Sequence, residues 1–433
     1  MVSVDIGNLV LSLSNAMDLA SPSLAQHQQR TGFIVLTLGK LANLSNERME
    51  SCFMAALLHD VGALSLEEKI ALHNFEVNDT ECHCIRGELL LERVPPFREA
   101  AKVVRFHHTK WQDWIETIDS SPVLESQLLN LADYVERLID RDRHILNQNE
   151  EIISRIRPLS GSWFHPQLVD ILDTAARREE FWLDLVSPRL YSSLLEEGPF
   201  SKKKTESVSI KLIAELFRNI IDFRSRYTAT HSSGVAAAAS RLSKLFGLTE
   251  TETGLMEVAG NLHDIGKLVI PNSILEKPGK LNKQEFAIMK SHTYFTYSLL
   301  NNISGLQQIA GWAAYHHEKL DGSGYPFHLT AEKLDTGARI LMIADIFTAL
   351  AEDRPYRKSL SKKEIIEIIK DDSDRHLLDS NIVSLLFDNF DEISSYVSEH
   401  QAISREFYRN QFAFLNKKQT ISPNMIAHYR AAH

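Results

Sequence analysis

The chain has 433 residues, 44% of them hydrophobic and 24% charged, a globular balance that excludes wholesale disorder and allows two or three domains. Its 47 basic and 57 acidic side chains give a formal charge of −10, which argues against a surface that holds DNA by general phosphate attraction. Three cysteines, Cys52, Cys82 and Cys84, are too few for a disulfide framework and point to a reducing compartment, with the cytoplasm as the expected location. The opening MVSVDIGNLVLSL has no basic n-region, and no apolar run nears about twenty residues, so neither a signal peptide nor a membrane span is expected.

Helical periodicity dominates, and sustained two-residue alternation is scarce. In chain order, LVDILDTAARREEFWLDLV repeats its apolar residues at helical spacing. LLEEGPFSKKKTESVS then combines Gly-Pro, a Lys triplet and small polar residues, as a linker does. In SVSIKLIAELFRNIIDF, Ile213, Leu216, Phe217, Ile220 and Ile221 fall on one helical face, and EIIEIIKDD follows the same rule. The fold class is all-α, with a domain over residues 1–200 and a second over 201–433.

The two halves carry one pattern. The first has His27, His59-Asp60, His83, His107-His108 and Asp133; the second has His231, His263-Asp264, His292, His316-His317 and Asp345. The step from His27 to His59 equals that from His231 to His263. The step from His83 to its histidine pair equals that from His292 to His316-His317. The remaining intervals differ by small insertions, so the halves read as a duplicated domain.

Five histidines and two aspartates on a helical scaffold are what a pair of divalent first-row metals requires: imidazole nitrogen for affinity and a carboxylate able to bridge. A single such histidine would ordinarily be a capping or core residue. Seven together, twice over, point to metal.

LHDIGK (262–267), HHEKLDGSGYP (316–326) and DRPYR (353–357) occur together and in order, and by them residues 205–410 resemble the HD-GYP family of cyclic-dinucleotide phosphodiesterases. The resemblance implies two tandem HD-superfamily helical domains, the second catalytic. It implies His231, His263, Asp264 and Asp345 as ligands of one metal and His292, His316 and His317 as ligands of another, with Asp264 shared. Lys267 then resembles the lysine on the scissile phosphate, and Tyr325, Arg354 and Arg357 match positions that hold bases and phosphates. Members with a third metal use a Glu four residues before the first histidine. Tyr227 stands there in this chain, so two metals are expected, iron or manganese first, then nickel, magnesium or zinc.

The implied reaction is attack by a metal-bridging hydroxide on a 3′,3′-cyclic dinucleotide, giving a linear 5′-phosphorylated product. The tandem layout favours 3′,3′-cGAMP, with cyclic di-GMP close behind. The rival readings are a non-hydrolytic dinucleotide receptor that signals to a partner protein, and a general HD metallohydrolase of mononucleotides. A homodimer is expected only from the frequency of two-fold assemblies. Gly322 and Gly324 read equally as a tight turn closed by Pro326 and as a ligand-shaping loop. Arg354 and Arg357, three apart, share a helix face and could clamp phosphate.

In the first half Ala63 stands in place of Lys267, HHTKWQDW in place of the GYP loop, and DRDRH in place of DRPYR. The metal cage is kept while the gripping residues are lost. A metal-binding, catalytically weak domain that steadies or regulates the second is expected; the plainer alternative is a copy with unmetallated histidines. Cys82-His83-Cys84 lacks the second Cys pair of a zinc site and reads as buried or half-buried thiols. Trp111 and Trp114 read as core packing more readily than as a base cover.

Overall fold

The computed structural model describes residues 6–18, 21–63, 65–77, 80–200, 210–223, 230–303, 305–352 and 358–418. The first half runs through α1 (Ile6–Asp18), α2 (His27–Leu41), α3 (Asn46–Leu58), α4 (Leu66–His73), α5 (Glu81–Leu91), α6 (Arg98–Phe106) and α7 (Val123–Arg137). Four short helices follow: α8 (Asn149–Ile156), α9 (Pro166–Ala176), α10 (Glu179–Leu185) and α11 (Leu190–Glu197). The second half begins with α12 (Ile210–Phe223), α13 (His231–Phe246), α14 (Glu250–Leu262), α15 (Asn272–Leu275) and α16 (Lys283–Asn301). It continues with α17 (Gln307–Ala314), α18 (Thr336–Ala351), α19 (Lys362–Asp374), α20 (Ser380–Asp388) and α21 (Phe390–Lys418). Among the described residues β-structure is limited to isolated bridges, so the all-α expectation holds.

Local sequence explains the boundaries. Thr249 with Glu252, Asn282 with Glu285 and Ser361 with Glu364 form capping boxes that satisfy the first N–H groups of α14, α16 and α19. Gly247, at φ 95°, ends α13 in the left-handed conformation that favours glycine. The α12 stripe Ile213, Leu216, Phe217, Ile220 and Ile221 is buried as its spacing predicts. No described helix is long and apolar enough to cross a membrane.

The halves repeat one packing scheme. α2 lies against α3 and α7, and α13 lies against α14 and α18. A short 3₁₀ turn accompanies each His-Asp pair: His59–Gly62, which contains the pair, packs on α5, and Ile265–Val269, which follows it, packs on α16. Gly62 and Gly266 permit this contact: a Cβ on either would collide with the carbonyl oxygen of His83 or His292.

Each half's leading helix also reaches across to the other half. α1 packs on the Ile265–Val269 turn and α16, while α12 packs on α5. Leu9, Leu13, Phe217, Ile265, Leu300 and Ile303 meet there, and Asn8 Nδ2 donates to the Asn302 carbonyl at 3.3 Å. The turn that carries Lys267 therefore rests on a helix of the first half.

Candidate active site

In the second half all seven predicted ligands converge. His231 opens α13; its Nδ1 lies 3.0 Å from Glu352 Oε2 and its Nε2 3.0 Å from Asp345 Oδ1 on α18. His263 caps α14, its Nδ1 donates to the Gly260 carbonyl at 2.7 Å, and its Nε2 is 3.2 Å from Asp264 Oδ2. His292 on α16 donates from Nδ1 to the Met289 carbonyl at 2.7 Å and holds Nε2 3.5 Å from Asp264 Oδ1. His316, just past α17, donates from Nδ1 to the Ala313 carbonyl at 2.6 Å, and His317 Nδ1 lies 3.7 Å from Asp345 Oδ2. All are buried except His317, which is half-buried.

The tautomers decide what such a cluster can hold. A carbonyl only accepts, so each Nδ1 that meets one carries the proton, and in a neutral ring Nε2 presents its lone pair. The Nε2 atoms of His292 and His316 then face each other at 3.4 Å with no proton between them. His263 Nε2 is buried with no hydrogen-bond partner. Burial, against the pull of Asp264, pushes His292 down to about 3; it pushes His317 to about 4 and His316 well down, so a shared proton is disfavoured. Burial alone would raise the Asp264 carboxyl, but His263, Lys267 and His292 outweigh it and hold it well below the carboxylate range. Buried lone pairs beside ionised carboxylates are what divalent cations satisfy, so the residues fit metal ions.

Around this cluster Lys267 Nζ bonds Asp264 Oδ2 at 2.5 Å, with its side chain 17% exposed. The GYP loop folds back onto the ligand pair. Tyr325 N donates to the His317 carbonyl at 3.1 Å, and the two rings lie 5.0 Å apart. Gly322 sits at φ 80°, and a Cβ on Gly324 would strike the Glu318 backbone, so both glycines serve the tight turn. Buried Glu318 holds the loop by accepting from Phe327 N at 2.8 Å and Leu329 N at 3.0 Å. Arg354, Arg357 and Tyr227 lie outside the described residues.

The first-half residues also converge. His27 Nε2 faces His59 Nε2 at 3.1 Å, and His83 Nε2 faces His107 Nε2 at 3.2 Å. Nδ1 of His59 donates to the Ala56 carbonyl at 2.9 Å, and Nδ1 of His107 to the Val104 carbonyl at 2.6 Å. Asp60 Oδ2 is 3.6 Å from both His27 and His59, Asp133 Oδ1 is 3.4 Å from His27, and the His108 ring lies 5.0 Å from that of His83. Here Glu136 and Asp60 outweigh burial and raise His27, so a proton can satisfy its pair with His59. Burial pushes His83 to about 3 and His107 to about 4, which leaves that pair facing as in the second half.

Three differences set the first cage apart. Ala63 is buried where Lys267 stands in the other copy. Arg137 bonds Asp133 Oδ2 at 3.0 Å, donates to the carbonyls of Leu72 and His73, and lies 3.7 Å from the Phe75 ring centre, which pins α4 over the cage. Cys84 is buried with Sγ 3.5 Å from His107 Nδ1, and Cys82 is half-buried. Trp111 packs on His165 and Trp114 on Phe106, as packing residues do.

Sequence reasoning missed the carboxylates behind the first histidines. Glu352 joins His231 to Gln401 of α21, and Glu136 takes Nδ1 of His27. They follow Asp345 and Asp133 at unequal spacing, so aligning the repeats hides them. Sequence reasoning also missed Asp18 and Asp222, although each precedes its histidine by the same step, a signal that could have found them. Asp18 Oδ2 accepts from Gln28 N at 3.0 Å and Asp222 Oδ1 from Ser232 Oγ at 2.9 Å.

Two histidine-aspartate cages on tandem helical bundles define an HD-domain protein, and residues 24–138 and 215–382 each match the HD domain family. The 3'3'-cGAMP-specific phosphodiesterase 1 of Vibrio cholerae is 31% identical over 398 residues, 89% of this chain and 92% of its own length. The chain belongs to the HD-GYP phosphodiesterase family. The 3'3'-cGAMP-specific phosphodiesterase 2 of the same organism is 42% identical over 176 residues, 40% of this chain and 34% of that protein. The crystal structure of a cyclic GMP-AMP specific phosphodiesterase from V. cholerae shares the fold, with a TM-score of 0.62 at 21% identity over 90% of this chain and 98% of that one.

Proposed function

We propose that this chain hydrolyses a 3′,3′-cyclic dinucleotide at the second-half centre, with 3′,3′-cGAMP ahead of cyclic di-GMP, to a linear 5′-phosphorylated dinucleotide. The observation that carries the reading is the pairing of a complete ligand cluster with Lys267, whose ammonium sits on Asp264 at the edge of the cage. The names of the relatives support the substrate class.

His231, His263, Asp264 and Asp345 would hold one divalent ion and His292, His316 and His317 a second. Asp264 turns one oxygen to His263 and the other to His292, as a shared ligand would. Iron or manganese is proposed, with nickel, magnesium and zinc as the further candidates. When bound, such ions supply Lewis acidity to phosphoryl oxygens and lower the pKa of water. Lys267 brings a positive charge to the oxygens that gain negative charge in the transition state, and Asp264 fixes its position. Tyr325, its ring tilted beside that of His317, gives a base a ring to lie on, and Arg354 and Arg357 are proposed from their motif as phosphate contacts.

In this reading residues 1–200 form a metal-holding domain without turnover that supports the catalytic domain over 201–433. A cytoplasmic location and a homodimer belong to the same proposal and rest on cysteine usage and on the frequency of two-fold assemblies. The test is mass-spectrometric product analysis after incubating the manganese-loaded protein with 3′,3′-cGAMP or cyclic di-GMP, beside a His263→Ala, Asp264→Ala control. Linear dinucleotide from wild type alone supports hydrolysis and ranks the substrates. Binding without product favours the receptor reading.

A further inference from the structure

A cavity of about 530 Å³ lies between the two halves, a volume within the range of small-ligand sites. Its floor is Ser233 and Ala237 of α13 with Asn261 of α14, and its walls come from α12, α21 and the chain just past α5. The floor helices are those that begin at His231 and end at His263.

Two guanidiniums line it, one from each half. Arg93 lies 3.6 Å from the ring centre of Phe407 on α21. Arg218 donates to the neutral amide oxygens of Asn261 at 3.2 Å and Asn219 at 3.3 Å, and its buried Nε–H has no partner. Neither guanidinium has a carboxylate oxygen within 4.0 Å among the described residues. Of the two lining carboxylates, Glu257 is occupied by Lys211 at 2.8 Å, which leaves Glu215 as the carboxylate acting on Arg93. Burial first, and then the charge of Arg218, lowers the pKa of Arg93, so the two cations sense each other.

Two guanidiniums without a direct ion pair, with Glu215 and Glu92 near Arg93 and buried Asp222 near Arg218, together with an unmet donor leave a place for an anion, and a planar fork suits phosphate. Beside them Tyr396 and His400, with rings 4.3 Å apart, and Phe407 offer flat apolar faces along α21. We propose that this interdomain cavity is a second ligand site that binds a nucleoside monophosphate, its phosphate between Arg93 and Arg218 and its base against the rings of α21. The site lies outside the metal cluster and stands or falls independently of the hydrolytic reading. An occupant touches both halves and the two helices that carry His231 and His263, so its binding bears on the geometry of the metal centre.

The test is calorimetric titration of the full-length, chelator-treated protein with GMP, AMP, inorganic phosphate and guanosine. One nucleotide should bind per chain at least about tenfold tighter than phosphate or guanosine. Arg93→Ala and Arg218→Gln should each weaken it about tenfold or more, while Asp264→Asn leaves it unchanged. Photolabelling wild type with azido-GMP, which needs no folded variant, should mark the α21 segment from Tyr396 to Phe407. Absence of nucleotide binding at millimolar concentration, affinity no better than phosphate, or label confined to residues 316–326 overturns the proposal.

Discussion

The two cages are built from the same seven residue types on the same packing scheme, and each keeps one half-buried histidine, His108 or His317, yet different side chains stand around them. In the first, Arg137 occupies one oxygen of Asp133 and ties α4 across the cluster; the corresponding position after Asp345 is Ala349. In the second, Lys267 reaches Asp264 from the rim and the GYP loop stands beside His317. On the proposed function, a full set of histidines and aspartates does not by itself make an active centre. In the proposed reading the positioned charge of Lys267 separates the hydrolytic site from the first cage.

Outside the histidines and aspartates themselves, a large effect on turnover should come from that positioned charge. Lys267→Ala is expected to lower kcat about 100-fold while metal content, measured by elemental mass spectrometry, stays at the wild-type level. Ala63→Lys in an Asp264→Asn background should restore no turnover, because Arg137 still holds Asp133 in the first cage. Turnover restored by that lysine would mean the cages differ in one residue only.

The halves are also coupled through α1. Leu13→Ala removes buried volume at the contact with the Lys267 turn, and should cost about 2–5 kcal/mol in denaturant unfolding. If the halves fold as one cooperative unit, the second-half signal shifts with the first. An unfolding transition of the second half that ignores Leu13→Ala would show two independent bodies.

A pH-dependent effect concerns the buried acids behind each cage. Burial pushes Asp18 and Asp222 both up to about 7 from 3.8, but Asp18 has a backbone N–H on its Oδ2, whereas Asp222 Oδ2 has no hydrogen-bond partner. A carboxyl whose pKa is raised on folding binds more protons in the native state, so its stabilisation is present below about 4 and lost as pH rises through 7. Asp222→Asn should therefore gain stability relative to wild type across that window, by up to about 4 kcal/mol in the metal-free protein. A difference between the two proteins that is flat with pH would contradict it.

The fold class, the duplication and the ligand set were legible because histidine is scarce and fixed geometry forces fixed spacing between His27 and His59 or His231 and His263. The α12 stripe was legible because burial on one face imposes helical spacing. What sequence did not reveal depends on contacts between distant segments. Glu352 reaches His231 only because α18 ends against α13, and Arg137 joins Asp133 to the carbonyls of Leu72 and His73 only because the end of α4 packs beside α7. Neither shares a register with its counterpart. The cavity between Arg93 and Arg218 is of the same kind, formed where two halves meet and written in neither.

The most direct test of the unequal cages is a paired substitution. Asp60→Asn and Asp264→Asn place the same change in equivalent positions, and products from 3′,3′-cGAMP are followed by mass spectrometry with manganese-loaded protein. Linear dinucleotide should form at a near wild-type rate in Asp60→Asn and fall at least about 1000-fold in Asp264→Asn. Turnover that survives in Asp264→Asn, or is lost only in Asp60→Asn, would place the chemistry in the first half and contradict the account.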